Sequence, residues 1–302
     1  MGGFFVGLKK SLNSFPCLRK TQLMSALTEG DKAASWAART CREQGSHFMR
    51  LFFFSCFVIL AVISAPARGI IVTKAAPAKQ AIVDPKMFAE VVPLLEGRAV
   101  GTLVAPQWIV TAAHVAEHAK IGDKILIGHE ERSVLQLVFH PSWDAERVGS
   151  EGVTDLALIK LEKPVTSVAP AWLYREQDET GKRISILGWG RTGDGIDPAL
   201  VKDGRFRQGF NIIEEADKRL RFRFDAPDSG KAVEFEAVSG PGDSGGPAFI
   251  TKGQHRFLAG VSSFQQDETY PGIYGVTENY ERISNHIEWL LGTINGASPA
   301  GN

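Results

Sequence analysis

Ser244 stands in Gly242-Asp243-Ser244-Gly245-Gly246-Pro247, a hexapeptide whose residue types suit nucleophilic chemistry. A serine hydroxyl attacks an acyl carbon only when a neighbouring base takes its proton, and the oxyanion that forms needs donors aimed at it. Gly242 and Gly245 permit a tight turn, so the amides of Gly242 and Ser244 can point at one spot. The base has to come from seven histidines, at 47, 114, 118, 129, 140, 255 and 286. His114 ends the run Trp108-Ile109-Val110-Thr111-Ala112-Ala113, where small alanines leave an imidazole room; the other six are taken as surface or core histidines. A carboxylate must then orient that imidazole and stabilise its protonated form. Asp155 heads the apolar run Leu156-Ala157-Leu158-Ile159-Lys160-Leu161, where an acid costs desolvation unless it has a partner. Serine, histidine and aspartate in these settings point to acyl transfer through a covalent intermediate.

The elements that carry these residues are short and β-type from about Ile70 onward. Val100–Val104 and Trp108–Thr111 flank Ala105-Pro106-Gln107 as a hairpin, and Lys124–Gly128, Val134–Phe139 and Leu156–Leu161 are further strands. Arg183–Gly188, Gln208–Ile213, Leu220–Asp225, Pro247–Ile250, Phe257–Ser262 and Gly272–Val276 continue the pattern. In Leu220-Arg221-Phe222-Arg223-Phe224 apolar and basic residues alternate, as in a half-solvated antiparallel strand. Helical spacing is clear once, over 279–291, where Ile283, Ile287 and Leu290 share a face and Gly292 serves as a stop. Many short strands and one closing helix predict an all-β architecture of barrels or sandwiches, followed by a disordered tail at 293–302.

Thr111-Ala112-Ala113-His114, Asp155-Leu156-Ala157-Leu158 and Gly242–Pro247 resemble the three signature blocks of the trypsin/chymotrypsin family, in its order and at its spacings. Gly101–Trp108, Gly188-Trp189-Gly190 and Pro271-Gly272-Ile273-Tyr274 resemble supporting blocks, so the likeness runs from about Ile70 to Leu291. It implies two packed antiparallel six-stranded β-barrels, at about 70–165 and 172–278, with a C-terminal α-helix, the whole domain occupying 70–292. It also implies a serine endopeptidase in which His114 is the base, Asp155 orients it, Ser244 is the nucleophile and the amides of Gly242 and Ser244 bind the oxyanion.

The same resemblance places a specificity pocket at Val238, Ser239, Ser263, Phe264 and Gln265, with Gly272 opposite. Val238 stands six positions before Ser244, where trypsin-like members keep an aspartate for Arg or Lys. A neutral pocket does not offset the desolvation of a buried cation, so small or apolar residues are the expected preference, with Gln265 narrowing the pocket. Members of the family activate when a new Ile-Val amino terminus pairs with the acid before the nucleophile, here Asp243. Ile70-Ile71-Val72 lies at the right distance, but Thr73-Lys74 replaces the usual glycines. The family's disulfides are missing, so bacterial-type members are the nearer comparison.

Composition narrows the setting. Residues 1–67 carry eight Lys/Arg and three Asp/Glu, which leaves a mildly acidic body of 26 against 31 and gives no reason to expect nucleic acid or an anionic membrane as partner. Cys17, Cys41 and Cys56 precede the body, which therefore has neither disulfides nor a cysteine metal site. Met49-Arg50, the apolar run 51–63 and Ala65-Pro66-Ala67 form a signal peptide over 49–67, which predicts secretion or a periplasmic location without lasting membrane attachment. Residues 1–48 are an upstream extension without periodicity or motif. His129-Glu130-Glu131 gives little support for a metal, and no cofactor is expected. A protein or peptide substrate and a monomer are expected. The alternatives are a non-catalytic binding protein on the same fold and an α/β-hydrolase; chain order argues against the hydrolase, which needs its acid and base after the serine.

Overall fold

A computed structural model describes residues 67–76, 80–197, 200–266 and 271–296. The upstream extension and nearly all of the signal segment lie outside the described residues, as does the tail beyond Gly296.

Two dipeptide strands, β1 (Ala67–Arg68) and β2 (Ile71–Val72), lead in. A six-stranded antiparallel sheet follows, made of β3 (Val91–Leu94), β4 (Ala99–Ala105), β5 (Trp108–Thr111), β6 (Lys124–Ile127), β7 (Glu130–Phe139) and β8 (Ala157–Leu161). Its order is β3-β4-β5-β8-β7-β6, and the edge strands β3 and β6 approach each other to close the barrel nearly completely. Closure follows from the residues. Val100, Leu103, Ile109, Val110, Leu158, Ile159 and Leu161 are all fully buried in one apolar cluster, which a flat sheet could not enclose.

The second half holds β9 (Trp172–Leu173), β10 (Arg183–Gly188), β11 (Gly204–Arg205), β12 (Arg207–Ile212), β13 (Glu215–Ala216), β14 (Arg219–Arg223), β15 (Ala237–Val238), β16 (Pro247–Lys252), β17 (His255–Gln266) and β18 (Thr277–Arg282). Six of these form the backbone of the second sheet in the order β12-β10-β16-β17-β18-β14, extended by the short strands β13 and β9. The sheet curves as a half-barrel around Ile184, Ile186, Leu220, Phe222, Phe224 and Tyr280. Leu187, Phe249, Leu258 and Val261 extend into the first half's cluster, so both sheets share an apolar interface. Among the described residues no helix is long and apolar enough to cross a membrane.

The closing helix is shorter and later than its spacing predicts. Residues 279–282 belong to β18, where Tyr280 pairs with Ser262 and Leu220 and is 1% exposed. A single 3-10 turn follows, and the α-helix proper runs Ile287–Ile294, past Gly292. Ladder pairing on both sides of Tyr280 outweighs local helical preference, which is worth only tenths of a kcal/mol per residue, roughly. A one-turn helix, α1 (Ala113–Ala116), starts at the end of β5, and the terminal helix is α2 (Ile287–Ile294).

Candidate active site

β5 delivers His114 on the first turn of α1, and Asp155 stands two residues before the start of β8. Asp155 is wholly buried and accepts three bonds. Its Oδ1 takes the His114 backbone N–H at 2.9 Å; its Oδ2 takes His114 Nδ1 at 2.7 Å and Ser263 Oγ at 2.6 Å. Burial by itself would raise the Asp155 pKa, but the bonds from His114 and Ser263 outweigh it and hold the carboxyl below its ordinary value. An ionised carboxylate only accepts, so Nδ1 carries the imidazole proton and Nε2 keeps its lone pair. The side chain of His114 is 30% exposed, which leaves that nitrogen open to a reactant.

The Ser244 loop docks onto the same strand ends. Val100 N–H donates to the Ser244 carbonyl at 2.9 Å. Gly245, at φ 78°, lies so close to β5 that a Cβ there would stand 2.1 Å from Thr111 Oγ1 and 2.4 Å from the Val100 carbonyl. Only glycine fits that approach, and it sets Ser244 beside His114's strand. The N–H groups of Asp243, Gly245 and Gly246 all bond to carbonyls. Among the described residues those of Gly242 and Ser244 have no protein acceptor, and Ser244 and His114 are not hydrogen-bonded to each other.

Asp243 is 1% exposed. Its Oδ2 accepts from the Ile70 N–H at 3.0 Å and the Gly240 N–H at 2.9 Å, and its Oδ1 from the Gly190 N–H at 2.6 Å. Burial pushes its carboxyl up to about 6, against the pull of those three bonds. The glycines of Gly188-Trp189-Gly190 have a direct reason here: a Cβ on either would fall within 2.6 Å of the Asp243 side chain. The donor at Ile70 is a peptide N–H of a continuing chain. Gly69 packs against the Gly188 carbonyl, where no side chain fits, and Ile70 takes φ 55°, a costly angle for a β-branched residue.

The residues that the resemblance assigns to a specificity pocket are engaged with near neighbours. Ser263 serves Asp155. Phe264 lies against Gly149, with the Arg219 guanidinium 5.2 Å from its ring centre. Val238 pairs with Ile71 and is buried in the second core. Gly272 packs on Ile71 and donates its N–H to Gln265 Oε1 at 3.1 Å. Facing Ser239 is instead Glu278 of β18, fully buried, with its Oε1 accepting from Ser239 Oγ at 2.5 Å. A second acid missed by pattern alone is Glu281, which accepts the Asp155 N–H at 3.2 Å and pairs with Arg219 at 2.9 Å. No spacing rule marks either acid; Glu278 shares a strand face with Tyr280 and Arg282, and Glu281 lies on the opposite one.

Burial pushes the Glu278 carboxyl up to about 8. A raised folded pKa means that the native state keeps a proton the unfolded chain releases above about pH 4.5. That contribution to stability is complete at low pH and fades as pH climbs through about 8. The melting temperature should therefore fall as pH rises from about 4.5 to about 8 and level off above that, and Glu278→Gln should flatten the decline; an unaltered slope in the variant would assign it to another group.

The model of the trypsin family matches residues 92–289. An uncharacterized peptidase of Corynebacterium glutamicum is 29% identical over 202 residues, which cover 63% of this chain and 62% of that protein. The vitamin K-dependent protein C of Rattus norvegicus is 25% identical over 218 residues, covering 63% and 44%. The chain thus spans less than two thirds of the length of these relatives. In fold it is similar to neuropsin, a serine protease from mouse brain, with a TM-score of 0.54, 23% identity, and coverage of 70% of this chain and 97% of that one.

Proposed function

The chain belongs to the trypsin family, and on that premise we propose that it is a serine endopeptidase working through an acyl-enzyme. The observation that carries this reading is the fully bonded Asp155 beneath His114, next to a loop that presents Ser244 with two unclaimed N–H groups. His114 Nε2 takes the Ser244 proton as Oγ attacks the substrate carbonyl carbon. The oxyanion faces the Gly242 and Ser244 amides. Collapse breaks the C–N bond, and the leaving amine receives the proton from His114. Water then repeats the sequence on the ester and frees Ser244.

The reading includes export on the strength of the segment 49–67, and action on an uncut chain beginning at Arg68. The Ile70 peptide N–H already donates to Asp243, so no new amine is required to fill that position. A non-catalytic binding protein is the alternative, favoured by the absence of a Ser244–His114 hydrogen bond among the described residues.

One experiment addresses these points together. The extracellular or periplasmic fraction is treated with a fluorophosphonate probe, and the intact mass of the labelled species is measured. Labelling at Ser244, lost in Ser244→Ala, on a chain starting at Arg68 is the expected result. Unlabelled but correctly processed protein would favour the binding alternative, and a start at Ile70 would restore activation by insertion.

A further inference from the structure

Asp155 is held from two directions, and only one of them belongs to the proposed chemistry. Its carboxylate accepts from His114 and Ser263, while its backbone N–H donates to Glu281 Oε1 at 3.2 Å. Among the described residues that N–H has no other acceptor. The ladders of β8 begin at Ala157, so strand pairing does not reach Asp155.

The same Glu281 oxygen accepts from Arg219 Nε at 2.9 Å. From there the guanidinium reaches the Val153 carbonyl at 2.7 Å and the Gly149 carbonyl at 3.3 Å. Glu281 and Arg219 stand opposite each other on β18 and β14. Those strands are already paired by their backbones, and a buried ion pair adds little stability over a well-packed apolar pair. What the charges add is direction: a planar fork of N–H bonds, oriented by a carboxylate and aimed at the segment that enters Asp155. His286 Nε2 lies 4.0 Å from the other Glu281 oxygen, but burial pushes that imidazole down to about 4, so Arg219 is the counter-charge near neutral pH. Reacting groups have to be held within about 0.5 Å of their working geometry by neighbours that are themselves fixed. The 2.7 Å contact between Asp155 and His114 depends in this way on two side chains of the second sheet.

We propose that Glu281 and Arg219 are positioning residues: they fix the backbone at Asp155 so that its carboxylate meets His114 Nδ1, and they set turnover rather than substrate affinity. This rests on the peptidase reading and adds to it a device in which one sheet aligns the orienting acid carried by the other.

The test measures kcat and KM on one peptide substrate, well below the melting temperature of each variant, together with the rate of fluorophosphonate labelling. Glu281→Ala should lower kcat and the labelling rate by roughly 10²-fold, the scale of a 1 Å misplacement, and leave KM within about twofold. Glu281→Gln keeps an acceptor for the Asp155 N–H and should recover most of that loss. A cavity of about 360 Å³ lined by Lys218, Arg219, Glu281 and His286 adjoins the pair, so water can occupy the space that alanine leaves. In an Asp155→Asn background, where no carboxylate remains to be aimed, Glu281→Ala should cost less than about threefold. Should Glu281→Ala fail to melt cooperatively, Arg219→Gln decides: it releases Val153 and should lower kcat about tenfold at unchanged KM. A Glu281→Ala protein with wild-type turnover and labelling, a folded Glu281→Gln as slow as alanine, or an undiminished cost in the Asp155→Asn background overturns the inference and leaves the peptidase reading intact. An unchanged kcat in Arg219→Gln does the same. A wild type that neither labels nor cleaves overturns both.

Discussion

Exchanging His114 for alanine is expected to lower kcat/KM by roughly 10⁴-fold or more while the fold survives. The reason lies in how the load is distributed. The imidazole is partly exposed, so its loss opens little core. Asp155 would keep the backbone N–H of residue 114 and the Ser263 hydroxyl, and so would not be stranded as a bare buried charge. Asp155→Asn should be nearly as severe by a different route. Its amide would donate toward Nδ1, which moves the ring proton to Nε2 and removes the base. Rates on a peptide substrate with thermal melts of the same preparations check both. A loss below tenfold in His114→Ala would remove the histidine from the mechanism.

Asp243→Ala should damage stability and activity together. It would orphan the buried N–H groups of Ile70, Gly190 and Gly240, at about 1–3 kcal/mol each before relaxation. The same carboxylate ties the nucleophile loop to the Gly190 turn and to the entering chain. Without it the amides of Gly242 and Ser244 lose their alignment, and a further loss on the order of 10²–10³ in kcat is expected from a poorly formed oxyanion site. Melting temperature and the rate of fluorophosphonate labelling give the two readouts. A variant that labels at the wild-type rate and melts within a degree or two would show that Asp243 is not a keystone of the loop.

Much of the candidate site is legible in the sequence because the proposed chemistry demands rare residue types at fixed places. His114 and Asp155 each stand at the end of an apolar strand, where a polar group needs a partner, and they are each other's partner. Gly188, Gly190 and Gly245 were recognisable as a pattern, while the close approaches that require them became apparent only with the Asp243 carboxylate and the Thr111 hydroxyl in place. Strand content was equally legible, because alternation along one strand is a local property. The end of β18 was not. The spacing of Ile283, Ile287 and Leu290 beyond it carries a helical pattern back over residues 279–282, and what keeps Tyr280 in a strand is pairing with residues 18 and 60 positions upstream.

The proposed catalytic set thus follows from residue identity and order alone: a candidate nucleophile between glycines, a histidine and an aspartate at strand ends. What surrounds Ser239 was decided by tertiary structure. β18 pairs with β17 across a register shift between Ser262 and Phe264, with Glu278 opposite Gln265 and bonded to Ser239. In a sheet each one-residue slip exchanges the two faces, so whether Glu278 meets Ser239 depends on a long-range register. No local spacing encodes that register; Tyr280 of the same strand is buried in the core that the second sheet encloses.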